Sequence, residues 1–343
     1  MNHEFYMNRC LELAQKGEGN VAPNPMVGAL VVHKDQIIGE GYHKEFGREH
    51  AEVNAINAVH DKSLLAESSI YVNLEPCSHF GKTPPCSDLI IQYKIPHVVI
   101  GAIDDNEKVA GKGIQKLEKA GIKVEVNILK KKCLSLNRRF YKFHNSKRPF
   151  IILKWAETKD GFVSRRLPSI KNGEDNWITN SASKKAVHEQ RAVEQAIIIG
   201  KTTALNDNPE LTTRLVNGKS PLRVVICHKP LLDENLKILK DDSPTLIFNT
   251  KLNQAIGLKE WIKFSGNLNE VLNELYKRNI QSVIVEGGTT VINQFLHQNI
   301  WDEAYNFIGD KEFLNGIKAP KINTHPFSEK KIENDLLRIF IKS

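Results

Sequence analysis

Apolar and polar positions follow two periods along the chain, one near 3.6 and one near 2, and segments of the two kinds interleave. Over residues 4–16 the apolar positions Phe5, Met7, Cys10, Leu11 and Ala14 recur at helical spacing, and Gly17 marks the stop. Ala22-Pro23-Asn24-Pro25 is a rigid loop feeding a predicted strand over 26–32. A turn at His33-Lys34-Asp35 returns the chain through 36–42 as a hairpin. A helix opens near His50 with Ala51, Val53, Ala55, Ile56 and Val59 on its inner face. Strands are expected over 69–73, 97–102 and 123–127, and helices over 86–93, 112–120 and 129–143. That alternation predicts a three-layer α/β/α domain.

His144-Asn145-Ser146-Lys147-Arg148-Pro149 reads as a polar hinge, which places the boundary between a first domain, 1–146, and a second, 147–343. Beyond it a buried-strand pattern runs over 150–156, and Asp160-Gly161 turns the chain. A helix follows over 181–193 with Ser181 as its capping residue. Strands are predicted over 196–200, 222–227, 245–249, 282–285, 303–308 and 336–342, and helices over 268–278 and 289–297. The strand ending in Glu286-Gly287-Gly288 runs straight into a helix. Glycines there allow close approach to the free amides of a first helical turn, an arrangement suited to phosphate.

A length of 343 residues is enough for two cored domains, and 41% hydrophobic with 26% charged residues is a soluble globular composition. No apolar run reaches membrane-spanning length, and the acidic, polar start is expected to begin a helix rather than a leader. Five cysteines, an odd number, point to a reducing compartment and hence the cytoplasm. The net charge of +8 suits nucleic acid, a phosphorylated metabolite or a dinucleotide equally. Its basic residues are dispersed apart from Lys130-Lys131-Lys132 and Arg138-Arg139, read as solvated helix faces.

Chemistry concentrates between His50 and Cys86. His50, Cys77 and Cys86 offer one imidazole and two thiolates, three zinc donors that leave a fourth tetrahedral position for water. Glu52 follows His50 by two and is not needed as a ligand. Residues two apart diverge on a helix, so both reach one pocket only if His50 stands at the helix start. A structural zinc would need a fourth protein donor, and Cys10, Cys133 and Cys227 lie at no finger-like spacing from Cys77 or Cys86. The H-x-E, P-C and second-Cys set is that of zinc deaminases, where the Glu shuttles protons.

Ala22-Pro23-Asn24-Pro25-Met26-Val27-Gly28, Gly41-Tyr42-His43, His50-Ala51-Glu52 and the stretch Leu74-Glu75-Pro76-Cys77-Ser78-His79-Phe80-Gly81-Lys82-Thr83-Pro84-Pro85-Cys86 resemble the deaminase half of the bifunctional riboflavin-biosynthesis deaminase–reductases. The long insertion between the two cysteines distinguishes that family from deaminases with C-x-x-C. Lys154-Trp155-Ala156, Trp177-Ile178-Thr179, Arg191-Ala192, Asp207-Asn208-Pro209-Glu210-Leu211-Thr212-Thr213-Arg214, Pro221-Leu222-Arg223 and Glu286-Gly287-Gly288 resemble its reductase half.

The resemblance implies a cytidine-deaminase-like α/β/α domain followed by a dihydrofolate-reductase-like α/β domain. It implies zinc on His50, Cys77 and Cys86, Glu52 as proton shuttle, and Asn24, His43, His79 and Lys82 around the pyrimidine substrate. For the second half it implies NADPH against Ala156, Trp177, Thr203, Asp207 and Gly288. Asp175, Arg191, Leu211, Arg214 and Glu286 then face a phosphorylated substrate. The two arginines suit phosphate, which guanidinium grips with a fork. Departures are Asn73 for a usual Thr, Asp104-Asp105-Asn106-Glu107 for a usual D-P-N-P, Asp175 for a usual Ser, and Cys227 for a frequent Asp. The first two bear on loop stiffness, and a carboxylate at Asp175 would repel a phosphate.

The implied partner is a small phosphorylated pyrimidine, with no nucleic acid or membrane, and with self-association as a dimer or tetramer. Two other classes stay open on the residues alone. A nucleic-acid deaminase with an accessory domain would need exposed aromatics for stacking, whereas aromatics are 7% of the chain and fall mostly in core patterns. A zinc-stabilised scaffold would need a fourth protein ligand and would be indifferent to Glu52.

Overall fold

In the computed structural model, which describes residues 2–78, 80, 84–103, 111–165, 177–230 and 233–342, the chain divides into two units, Met1–Ser146 and Lys147–Ser343. In the first, α1 (His3–Gln15) precedes the hairpin β1 (Gly28–His33) and β2 (Gln36–Tyr42), then α2 (Ala51–Ala58) and a 3-10 turn, Lys62–Glu67. There follow β3 (Ser69–Leu74), α3 (Cys86–Gln92), β4 (His97–Ala102), α4 (Lys112–Lys119), β5 (Lys123–Glu125), α5 (Lys130–Leu136) and α6 (Arg138–Ser146). The sheet order is β2-β1-β3-β4-β5, with β1 antiparallel to both neighbours and β3, β4 and β5 parallel.

Each residue of β3 is buried because helices cover both faces of the sheet. Ile70 and Val72 pack with Ala55 and Ile56 of α2 on one side; Tyr71 packs with Met7 and Cys10 of α1 on the other. The parallel strands bring the ends of β3 and β4 to one edge, where α/β sheets present their ligands. Asn73, fully buried, accepts from the Gly28 amide at 2.8 Å and donates to the Met26 carbonyl at 3.1 Å. Asn137 grips the same residue, accepting from the Met26 amide at 2.8 Å and donating to its carbonyl at 2.9 Å. The loop holding Asn24 is thereby fixed by two buried amides, so Asn73 stiffens this corner.

Asn137 also explains why the single helix expected over 129–143 is two. Its side chain turns away to Met26, and the chain breaks between α5 and α6. Arg139 there is mostly covered rather than on a solvated face. The segment expected to be a polar linker is helical up to Ser146, where α6 ends, and within the second unit the fork of Arg148 grips Asp302 at 2.6 and 2.9 Å.

The second unit opens with β6 (Phe150–Thr158), β7 (Phe162–Ser164), α7 (Ser181–Val193), β8 (Ala196–Gly200), α8 (Lys201–Asp207), β9 (Leu222–Ile226), α9 (Lys237–Lys240) and β10 (Thr245–Asn249). It continues through β11 (Gln254–Ile256), β12 (Lys259–Lys263), α10 (Leu268–Lys277), β13 (Ser282–Val285), α11 (Thr289–His297), β14 (Glu303–Gly309), β15 (Ile317–Lys318), β16 (Ser328–Ile332) and β17 (Asp335–Ile341). Ten strands form one sheet in the order β11-β12-β10-β9-β8-β13-β6-β14-β17-β16, parallel from β12 to β14. Apolar clusters lie on both faces, one around Ile151, Leu153 and Phe295, the other around Ile152, Ile197 and Ile247. The cap of α7 is Asn180, which accepts from the Ser183 amide, one residue ahead of the expected Ser181. No helix among the described residues is long and apolar enough to cross a membrane.

Candidate active sites

Three element ends meet beside β3. His50 occupies the cap position of α2 without capping it by side chain, which leaves the imidazole free to turn inward. Cys77 comes three residues after β3, and Cys86 opens α3 behind Pro85. His50 Nδ1 stands 3.5 Å from Cys77 Sγ and 3.3 Å from Cys86 Sγ. The Cys86 amide lies 3.3 Å from Cys77 Sγ, and the Ser87 amide donates to the Cys77 carbonyl at 3.1 Å. Glu75 carries the approach: its carboxylate accepts from the amides of Gly111 and Gly113 at 3.0 and 2.9 Å, fastening the Cys77 turn to the start of α4.

The charges of this cluster are coupled. The hydrogen bond with Cys86 holds the Cys77 thiol well below its ordinary value, with His50 pulling the same way, while that shared bond and burial push Cys86 up. Two thiols here compete for one proton, and a cation between them would release both. His50 is raised by its bond to Cys77. Glu52 is 3% exposed, and burial raises its carboxyl to about 7, with the Cys77 charge acting in the same direction. A bound cation would draw it back down.

Beside these donors His43 packs edge-on to His50 with ring centroids 5.5 Å apart. Its Nδ1 donates to the Glu49 carbonyl at 3.0 Å, which leaves Nε2 to accept from Asn24 Nδ2 at 3.1 Å. Burial lowers its pKa, in keeping with a neutral ring. Asn24 and His43 thus sit together next to the three donors. His79 and Lys82 lie outside the described residues, as do Asp104, Asp105, Asn106, Glu107 and Asp175.

The second unit holds a cleft of about 810 Å³ between α7, α8 and the start of α11. Ala156, Trp177, Thr203, Asp207 and Gly288 line it, and so do Arg191, Leu211, Arg214 and Glu286. Gly288 has φ +59, and a Cβ there would stand 3.2 Å from Thr203 Oγ1, so glycine keeps that wall open. Arg191 grips Glu286 with Nε at 2.8 Å and Nη2 at 2.7 Å. Burial alone would raise Glu286, but the charges of Arg191 and Lys154 outweigh it and hold the carboxyl down at about 2.

Two cleft residues were given no role of their own in the sequence reading. Lys154, with Nζ 3.7 Å from Glu286, has its pKa lowered by burial. A lysine inside the run Phe150-Ile151-Ile152-Leu153-Lys154-Trp155-Ala156 was the available signal. His188 stands one helical turn before Arg191, on the same face of α7.

The family described as the cytidine and deoxycytidylate deaminase zinc-binding region matches residues 1–102, and that described as the RibD C-terminal domain matches 149–311. Riboflavin biosynthesis protein RibD of Aquifex aeolicus is 36% identical over 98% of this chain and 97% of its own length. The chain belongs to the RibD family. Its Bacillus amyloliquefaciens member is 39% identical over 93% of this chain and 87% of its own. The crystal structure of the Thermotoga maritima diaminohydroxyphosphoribosylaminopyrimidine deaminase/5-amino-6-(5-phosphoribosylamino)uracil reductase superposes with a TM-score of 0.90 at 35% identity, covering 99% of each chain. RibD membership makes the chain a bifunctional deaminase and reductase of riboflavin biosynthesis, with zinc and NADPH as its cofactors. A nucleic-acid deaminase with an accessory domain is not favoured, since the second unit carries the RibD C-terminal domain.

The residues fit both groups. A tetrahedral zinc sets its N and S donors about 3.5 Å apart, and the observed imidazole–sulfur separations are 3.5 and 3.3 Å. The three donor atoms all lie within 4.8 Å of one another, the one such group among the described residues. The glycine-lined wall of the cleft, with the start of α11 behind it, suits a dinucleotide phosphate.

Proposed function

We propose that the chain performs two successive steps on one phosphorylated aminopyrimidine. The first unit removes an amine hydrolytically from 2,5-diamino-6-ribosylamino-4(3H)-pyrimidinone 5′-phosphate. The second reduces the ribosyl group of the product to ribityl. The observation that carries the reading is the convergence of His50, Cys77 and Cys86 with a buried carboxyl, Glu52, left over from the donor set.

Zinc on those three residues supplies Lewis-acid activation of water. Glu52 can take a proton from that water and deliver it to the departing amine, so that a C–O bond forms, the C–N bond breaks and ammonia leaves. Asn24 and the neutral His43 present polar atoms beside the donors and orient the pyrimidine; His79 and Lys82 are assigned to the same task. In the cleft Ala156, Trp177, Thr203, Asp207 and Gly288 would hold NADPH, which would supply the hydride for the ribosyl C1′. Opening the sugar breaks C1′–O, and the oxygen takes a proton. Lys154 is the suited donor, because Glu286 is ionised and locked onto Arg191. Arg214 meets the substrate phosphate at the cleft mouth with Leu211 beside it. Arg191 holds Glu286 against the sugar, and Asp175 is assigned to the same substrate.

Five free cysteines, three of them buried away from both sites, support a reducing, cytoplasmic setting. Self-association as a dimer or tetramer is part of the same reading. Glu52→Gln tests the assignment: the variant should retain zinc and lose ammonia release, yet still oxidise NADPH when given the deaminated intermediate. Deamination that survived the substitution would remove Glu52 from the reaction.

A further inference from the structure

We infer that His188 is a positioning residue for the reductase, holding Arg214 by its backbone so that the guanidinium meets the substrate phosphate. The inference rests on the cleft being the reductase site with Arg214 at the phosphate.

Lys184, Val187, His188 and Arg191 all line the cleft, which makes one face of α7 its wall. Opposite runs the strap from Asn208 to Arg214. It is an irregular segment that passes through two left-handed residues, Asn208 at φ +39 and Leu211 at φ +59. Such non-glycine positions persist only where the surroundings fix them. Two ties fix the first part: Asn208 Oδ1 accepts from the Lys237 amide at 2.8 Å, and the fully buried Arg223 donates to the Glu210 carbonyl at 3.1 Å. The far end is tied differently. The Arg214 amide donates to His188 Nδ1 at 3.2 Å.

His188 is 2% exposed and can accept there only with its single hydrogen on Nε2. Burial, helped by the charges of Arg191, Arg214 and Lys184, lowers its pKa to about 4 against the opposing pull of Glu286, so the acceptor is kept. The Arg214 side chain is by contrast 46% exposed, with Glu210 3.4 Å away. Anchored at its backbone and held at its tip only by the exposed ion pair with Glu210, it is arranged to bind an anion that arrives from solvent. The cleft holds five cations, Lys154, Lys184, Arg191, Arg214 and Lys237, against the carboxylates of Asp207, Glu210 and Glu286. That surplus of two positive charges matches a phosphate monoester dianion. Two such groups enter the reaction, the 5′-phosphate of the substrate and the 2′-phosphate of NADPH, and the strap is assigned to the first.

The test compares His188→Leu, His188→Asn and His188→Gln. Asparagine can place its carbonyl where Nδ1 stands, whereas glutamine reaches the Nε2 position. Reductase kcat/KM is measured with the 5′-phosphorylated substrate and with its dephosphorylated analogue, and the Kd of NADPH and of NADH by fluorescence. The expected result is a fall of about tenfold in preference for the phosphorylated substrate in the Leu and Gln variants, carried by KM and restored by Asn. Equal losses on both substrates, or Asn and Gln behaving alike, would overturn the inference. So would a loss confined to the discrimination between NADPH and NADH. Arg214→Ala separates the two levels. If it leaves the preference intact, the phosphate reading falls and the inference with it; if it abolishes the preference while His188→Leu does not, the inference alone falls.

Discussion

The metal-donor cluster of the first unit and the cleft of the second solve opposite problems. In the first, a few strong donors come from the ends of three elements within 37 residues, His50 to Cys86, and packing has only to aim them. In the second, the lining runs from Lys154 to Pro320, and three of its charged groups, Lys154, Arg191 and Glu286, are packed against one another before any ligand arrives. A site that works through a metal concentrates its chemistry in donors that any fold can supply. A site that works by holding two large ligands distributes it through the sheet. Loss of function should therefore be local in the first and structural in the second.

Glu52→Gln should break the contrast most sharply if it is wrong. Ammonia release is expected to fall by about three orders of magnitude, with zinc content and thermal stability close to the parent, measured by metal analysis and calorimetry. In the cleft the corresponding single change, Arg191→Met, strands Glu286 with only Lys154 nearby. It should cost about 3 kcal/mol of the second unit's stability in urea unfolding, and adding Glu286→Gln should recover much of that. If Arg191→Met lowered activity with stability unchanged, the cleft would resemble the metal site after all.

Acid offers a gentler probe. Glu286 is depressed to about 2, so its contribution to folding is complete above its ordinary 4.5 and is lost as pH falls through 2. His188 is depressed to about 4, so folding favours the neutral ring, and stability declines as pH falls from its ordinary 6.5 towards 4. Both act in one direction. The unfolding temperature of the second unit should drop between pH 7 and pH 4, and His188→Asn should flatten that slope. A slope unaffected by the substitution would place the titrating group elsewhere.

Much of this was legible in the sequence, for reasons the exceptions make plain. Helices α7 and α11 and strands β8, β10 and β13 lie where periodicity places them, because each buries an apolar stripe or run. Edge strands escaped. Residues Gln254–Ile256 are exposed throughout, and Ser328–Ile332 is nearly so and reads S-E-K-K-I, so neither shows an alternating pattern. The short polar helix Lys201–Asp207 escaped likewise, although it carries Thr203 and Asp207 into the cleft. Periodicity also ran on through Asn137, whose side chain bonds to a residue 111 positions away. The donor set was readable because zinc chemistry restricts residue types. Lys154 and His188 were not, because a buried lysine or histidine has meaning only beside the partners that the fold supplies.

The two amides that clasp Met26 carry a consequence for dynamics. Met26 lies just outside β1, where deuterium would normally replace an amide hydrogen quickly, yet its N–H points at a buried carboxamide oxygen 2.8 Å away. Its isotope uptake should be as slow as that of the sheet interior, marking this corner of the first unit as a part that opens only when the whole unit does.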